Sequence, residues 1–181
     1  MTSTQEIYSV IPAPILKDLF STFKLDIKGG THGFAHWARV IDNGLLLAKT
    51  NHANRKVIIA FGLFHDICRE NDKVDPEHGA RGAALMLKMR NLINLTPDEI
   101  ATAAIACIGH TNGQVDRANV TIGTCWDADR LDLWRVGVFP STEFMSNEIS
   151  EPLLDEASDR AEAKHMSEWA IELAADLHLE L

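Results

Sequence analysis

At 181 residues and 46% hydrophobic content, the chain is long enough to bury one core without disulfide support. A net charge of −9 leaves no basic footprint for a nucleic-acid polymer or an anionic membrane surface. Cys68, Cys107 and Cys125 form an odd set with no framework spacing, which suits a reducing compartment.

One domain over residues 1–181 is expected, located in the cytoplasm. The first residues, Met-Thr-Ser-Thr-Gln-Glu, lack the basic start and apolar stretch of a leader, and no run approaches the roughly 20 apolar residues of a membrane span. Turn signals fall between helical periodicities, not between alternating strands, so the chain reads as all-α, a compact helical bundle.

Pro14 opens a helix through Ile15, Leu16, Leu19, Phe20 and Phe23 that is stopped by Gly29-Gly30. From Phe34 to about Asn51, Trp37, Ile41, Leu45 and Ala48 recur at helical spacing, and this helix carries His36. A third helix, from about Arg55 to Cys68, is apolar nearly all round in its middle, which marks it as central. His65 and Asp66 sit at its far end.

Asp75-Pro76 reads as N-cap and first residue of a helix through His78, Arg81, Gly82 and Leu85. Gly79 and Gly82 are poor helix formers, and their presence there signals close approach of a neighbouring backbone or a ligand. Thr96-Pro97-Asp98-Glu99 has the capping-box pattern for a helix running to Gly109-His110. A short helix over about Ile122–Leu133 carries Asp127, and Gly137 and Pro140 open a loop. A last helix over about 152–178 has Met166, Trp169, Ala170, Leu173 and Leu177 as its apolar stripe. That element reads as scaffold, its stripe serving a core or a homo-oligomer seam equally well.

Several helices therefore deliver a ligand-type side chain near an end or mid-face: His36, His65 with Asp66, and Asp127, with His78 and His110 as two more. A carboxylate carried into the surroundings of Val57–Phe64 must be paired or hold a metal. Mixed nitrogen and oxygen donors suit a divalent transition ion (manganese, iron, cobalt, nickel or zinc) better than calcium. Helical bundles build such sites from facing helices. Taken singly, each residue has an ordinary structural use; the set together does not. The three cysteines read as small buried hydrophobes, and the four tryptophans as core.

The ordered stretches His32-Gly33-Phe34-Ala35-His36-Trp37-Ala38-Arg39-Val40, Phe64-His65-Asp66 and Asp127-Ala128-Asp129-Arg130-Leu131-Asp132 resemble the HD-domain metal-dependent phosphohydrolases over roughly residues 31–137. The resemblance implies that His36, His65, Asp66 and Asp127 ligate one metal, with Asp129 as the alternative last ligand if the register differs. Pro76-Glu77-His78-Gly79 and Gly109-His110-Thr111 match where binuclear branches place two further histidines. His78 and His110 are thus ligands of a second ion, with Asp66 bridging, or contacts to a substrate phosphate.

The expected activity is hydrolysis of a nucleotide or other small phosphate ester, since a divalent ion lowers the pKa of bound water toward neutrality. Whether the ester is a monoester, a diester or a pyrophosphate stays open. Arg39, Arg81 and Arg130 each follow a candidate ligand by three residues and so share its helical face, which makes them candidates to offset phosphoryl charge. The N-terminus of the helix opened by Asp75-Pro76 is a further candidate anion site. His32, four residues before His36, is a candidate substrate contact. Two departures narrow the reading. Arg69 stands where some nucleotidase branches have a catalytic Glu, and His110 is followed by Thr111, not by a second His as in cyclic-dinucleotide phosphodiesterases. Rival functions are a metal- and nucleotide-sensing domain without turnover and a two-iron oxygenase on an HD-like scaffold.

Overall fold

The computed structural model describes residues 2–179, and every regular element among them is helical. In chain order these are α1 (Thr4–Val10), α2 (Ala13–Ser21), α3 (Phe34–Asn51), α4 (Arg55–Phe64), α5 (His78–Lys88), α6 (Pro97–Gly109), α7 (Val120–Arg130), α8 (Glu151–Glu162) and α9 (Glu168–Asp176). Short 3-10 turns lie at Leu133–Val136 and Thr142–Phe144. No helix among the described residues is long and apolar enough to cross a membrane.

The middle of the fold is α4. Asn54 caps it by accepting from the backbone N–H groups of Lys56 and Val57, and every residue from Val57 to Phe64 is buried. Each of its large apolar side chains contributes about 1.5–3 kcal/mol by leaving water, so a helix apolar on all sides is stable only with neighbours around it. Those neighbours are α1, α3, α5, α6 and α7. The central position of α4 puts its C-terminal end, and with it His65 and Asp66, inside the molecule.

Phe34–Asn51 forms one continuous helix, as its periodicity requires, and Trp37, Ile41, Leu45 and Ala48 are all buried. The capping box on α6 is present in both directions: Thr96 Oγ1 accepts from Glu99 N, and Thr96 N donates to the Glu99 carboxylate. The two glycines of α5 mark close approaches. A Cβ at Gly82 would overlap the carbonyl oxygen of Phe64, and one at Gly79 would overlap that of Cys107 and crowd the His110 ring. Helix α5 is thereby pressed against both α4 and α6.

Five boundaries differ from the sequence reading. Helix α1 was not anticipated, although Ser3 and Glu6 carry its start: the Ser3 side chain accepts from Glu6 N. The helix expected to run from Pro14 toward Gly29 ends at Ser21, where Thr22 turns its hydroxyl back onto the Leu19 carbonyl. Helix α4 stops at Phe64, before Cys68, because His65 is already its C-cap.

Asp75 is not the N-cap of α5, which begins at His78; its carboxylate instead accepts from Glu70 N and from Arg81. The helix expected over 152–178 is two helices, broken after Glu162, with Lys164 at φ 48° and Ser167 at the N-cap position of α9. The stripe of α9 is spent inside the chain: Trp169, Ala170, Leu173 and Leu177 are buried, and the Trp169 indole donates to Asp42 on α3.

Candidate metal centre

His36 on α3, His65 at the C-cap of α4, Asp66 just after it and Asp129 on α7 come together at one end of α4. His36 Nε2 lies 3.0 Å from His65 Nε2, 3.5 Å from Asp66 Oδ2 and 3.4 Å from Asp129 Oδ1. His65 Nε2 is 3.6 Å from Asp66 Oδ2 and 4.0 Å from Asp129 Oδ1. The other face of the same carboxylate meets a second group: Asp66 Oδ1 is 3.0 Å from His78 Nε2 and 3.8 Å from His110 Nε2, and those two nitrogens are 2.8 Å apart.

The opposite ring nitrogen of each histidine is engaged by an acceptor. His36 Nδ1 donates to Asp132 at 2.7 Å, and His65 Nδ1 donates to the Phe61 and Gly62 carbonyls. His110 Nδ1 donates to the Cys107 carbonyl at 2.7 Å, and His78 Nδ1 to the Asp75 carbonyl. With the proton fixed on Nδ1, each Nε2 presents a lone pair inward. Two imidazole lone pairs at hydrogen-bond distance repel unless a cation or a proton lies with them. Asp129 Oδ1 is also buried, and accepts no hydrogen bond among the described residues. The triad of His36, His65 and Asp66 therefore fits a divalent ion, with Asp129 Oδ1, 3.4 Å from His36 Nε2, as the candidate fourth donor, and Asp66, His78 and His110 form a second triad of ligand-type atoms.

The electrostatics differ between the two groups. Burial pushes the His65 imidazole down to about 3, so the ring is neutral and its Nε2 free of a proton. Burial pushes the Asp129 carboxyl up, but Arg135 and the nearby imidazoles overcome this and hold it at about 2. At His110 burial pushes down as well. There the hydrogen bond to Asp66 and the charges of Asp129 and Asp66 outweigh it, and the ring is held above its usual value.

Asp127 stands apart from this cluster, which corrects the register expected for the last carboxylate. It is fully buried, and its two oxygens accept from Ser146 N, Asn147 N and Asn147 Nδ2 at 2.7–3.0 Å. Two residues further along α7, Asp129 is turned by about 200° and faces the histidines. Asp127 thus ties down the 144–147 segment.

The three arginines singled out by helical spacing are likewise committed elsewhere. Arg39 grips Asp132, Nε to Oδ1 at 2.6 Å and Nη2 to Oδ2 at 3.0 Å, and so orients the carboxylate that orients His36. Arg81 binds the Cys68 carbonyl and Asp75. Arg130 borders the cleft, but its guanidinium donates to the Phe144 and Gln114 carbonyls. At the N-terminus of α5, Gly79 packs against the Cys107 carbonyl of α6 and the His110 ring.

A cleft of about 350 Å3 opens onto the cluster, lined by His32, Asp66, Arg69, His110, Asp129 and Arg135 among others. His32 is in place as a candidate substrate contact, with its Nδ1 2.9 Å from Asp72. Arg69 and Arg135 are cleft residues not singled out as charge-offsetting candidates in the sequence, since both lie outside the α-helices: Arg69 follows α4 and Arg135 lies in the 3-10 turn. Residue Arg69 had a signal nonetheless, a cation three residues past Asp66. A separate cavity of about 500 Å3, lined by Asp42, Leu45 and Trp169 among others, has no part in this cluster.

The fold is shared with a solved protein described as a predicted HD superfamily hydrolase from an uncultured Thermotogales bacterium, with a TM-score of 0.63 over 99% of each chain at 22% identity. The likeness gives this chain the HD-type all-α fold. No protein-family model and no curated protein matches the sequence.

Proposed function

We propose that this chain is a metal-dependent phosphohydrolase acting on a nucleotide or other small phosphate ester. The observation that carries the reading is the convergence of His36 Nε2, His65 Nε2, Asp66 Oδ2 and the unpartnered Asp129 Oδ1 at the floor of a cleft walled by cations. The solved HD superfamily protein of the same fold is itself described as a predicted hydrolase. When bound by these four residues, a divalent ion supplies Lewis acidity and makes water a nucleophile at ordinary pH.

The remaining roles belong to the chain. Asp132 and the Phe61 and Gly62 carbonyls hold the protons of His36 and His65 on Nδ1, which keeps both Nε2 atoms available. Arg69 and Arg135 place fixed positive charge on the cleft walls, where phosphoryl oxygens gain charge in the transition state. His32 donates from Nδ1 to Asp72, leaving Nε2 as an acceptor for a proton or a substrate hydroxyl. A net charge of −9 elsewhere on the chain favours a small ligand held by this local cluster over a polymer held by a broad surface.

The test is turnover of a panel of nucleotides, phosphomonoesters and phosphodiesters with added manganese, cobalt, nickel, iron or zinc, before and after chelation. Phosphate release that depends on the metal and is lost in Asp129→Asn supports the reading. Binding of a nucleotide without turnover under every metal would replace it with the sensor, and iron-dependent oxygen consumption would replace it with the oxidative enzyme.

A further inference from the structure

The second triad already holds a positive charge. Arg69 Nη1 lies 3.4 Å from Asp66 Oδ1 and 3.1 Å from His78 Nε2, the atoms that a second ion shared through Asp66 would use. The same guanidinium is anchored from behind, Nε to the Asn71 carbonyl at 3.3 Å and Nη2 to the Lys73 carbonyl at 2.9 Å, and the residue is buried. All three of its nitrogens are therefore engaged, two by the turn that follows α4 and one by the triad.

We infer that Arg69 is the resident cation of the Asp66, His78 and His110 triad, so that the chain binds one divalent ion, at His36, His65, Asp66 and Asp129, and excludes a second. This rests on the proposed metal centre and fixes its stoichiometry. Two physical effects act together. Arg69 Nη1 lies 3.1 Å from His78 Nε2 and 3.3 Å from His78 Nδ1, so its charge rests against the ring whose Nε2 faces that of His110 across 2.8 Å, and offsets the repulsion that would draw in an ion. A dication entering the triad would meet a like charge within a few ångströms in a buried site, where screening is weak. Displacing Arg69 would break the contacts that hold it and leave a buried guanidinium without partners. Arg69 thus supplies the positive charge that a second ion would otherwise bring. An arginine does so permanently, because it does not lose its proton in proteins.

The experiment is a count of bound metal. Wild type, Arg69→Gln, Arg69→Met and Arg69→Lys are loaded with manganese, freed of excess, and measured by elemental analysis and by calorimetric titration, with circular dichroism on each to confirm the fold. One ion per wild-type chain, two per chain in Arg69→Gln or Arg69→Met, and one in Arg69→Lys is the expected pattern. The added ion should disappear in Arg69→Gln combined with His110→Ala.

Two ions in the wild type would overturn the inference while leaving the metal centre standing. A neutral variant that folds and still takes only one would overturn it equally, since charge at position 69 would then not be what excludes the second. A wild type that takes none would overturn both the inference and the metal centre beneath it. If both neutral variants fail to fold, Arg69→Ala refolded in the presence of manganese takes their place, with two ions supporting the inference and one overturning it.

Discussion

His36 Nδ1 and Asp132 Oδ2 are 2.7 Å apart, and the same Asp132 carboxylate is gripped by Arg39 through two hydrogen bonds. One fully buried acid therefore links a candidate ligand to a buried cation 93 residues away from it in sequence. Burial pushes Asp132 up, but His36 and Arg39 overcome this and hold it below the usual carboxylate range. Asp132→Asn keeps the shape and removes the charge. It is expected to weaken metal binding about 10- to 100-fold and to destabilise the fold by about 3–5 kcal/mol, because Arg39 is left buried and uncompensated. Calorimetric metal titration and urea midpoints measure the two effects separately. Unchanged metal affinity would sink the positioning role.

The two nearby acids of α7 should separate cleanly. Asp129→Asn removes a charge that Arg135 and the nearby imidazoles hold ionised, so stability in the absence of metal should fall modestly while metal binding and turnover are lost. Asp127→Ala strips the acceptor from Ser146 N and Asn147 N and is expected to cost about 3 kcal/mol. Its folded fraction should still bind metal. The opposite assignment of the two phenotypes would restore Asp127 as the ligand.

Stability of the metal-free protein should have a maximum near pH 6.5. His65 sits at about 3 in the native state because burial pushes it down from 6.5. Below pH 6.5 the unfolded chain takes up a proton that the native ring refuses, and stability falls by about 1.4 kcal/mol per pH unit. Burial also lowers His32, which adds to the same acid limb. Asp129, at about 2, contributes a further loss as the pH drops below 3.8.

His110 has the opposite sign. Its native value is raised, so its contribution is complete below 6.5 and is lost as the pH rises through that value. Urea midpoints taken in chelator across both limbs should trace this dome, and His65→Gln should flatten the acid side. An acid limb equally steep in His65→Gln would assign the effect to other groups.

Gly82→Ala should destabilise despite the better helix propensity of alanine. The propensity gain is about 1 kcal/mol, whereas a Cβ there overlaps the Phe64 carbonyl, which is backbone and cannot swing away. Forced separation of α5 from α4 is expected to give a net loss of about 2–3 kcal/mol and to shift His78 relative to Asp66. Denaturant midpoints and the metal titration both report on it, and a stabilised variant would show that the contact is looser than drawn.

Much of the fold was legible because its long helices carry their own signals: the period of Trp37, Ile41, Leu45 and Ala48, the apolar run of α4, and the capping box at Thr96. Ends were read less well where tertiary contacts overrule local preference. Asp75 looks like an N-cap and spends its carboxylate on Arg81 instead. The grouping of His36, His65, Asp66, His78 and His110 followed from pattern alone, since each lies at or near a helix end that central α4 brings together.

The choice between Asp127 and Asp129 could not follow, because the two differ only in which side of α7 they occupy, and that is set by the distant 144–147 segment. Arginines chosen by shared helical face fared unevenly for a related reason. Sharing a face with a ligand gave Arg39 a carboxylate and Arg81 a carbonyl as partners, while Arg130 borders the cleft together with Arg69 and Arg135 from irregular turns.

Helix α7 has two working sides. Asp127 and Arg130 fasten the chain around Phe144–Asn147, while Asp129 between them looks toward the histidines. The stretch leading into that fastening carries Val138, Phe139 and Phe144 with about half of each side chain in solvent. Whatever grips or cuts this outer stretch pulls on the same turn that aims Asp129. A single proteolytic nick near Phe139, beyond the end of α7, should therefore register as a weakened hold on the ion before it registers as loss of helical signal.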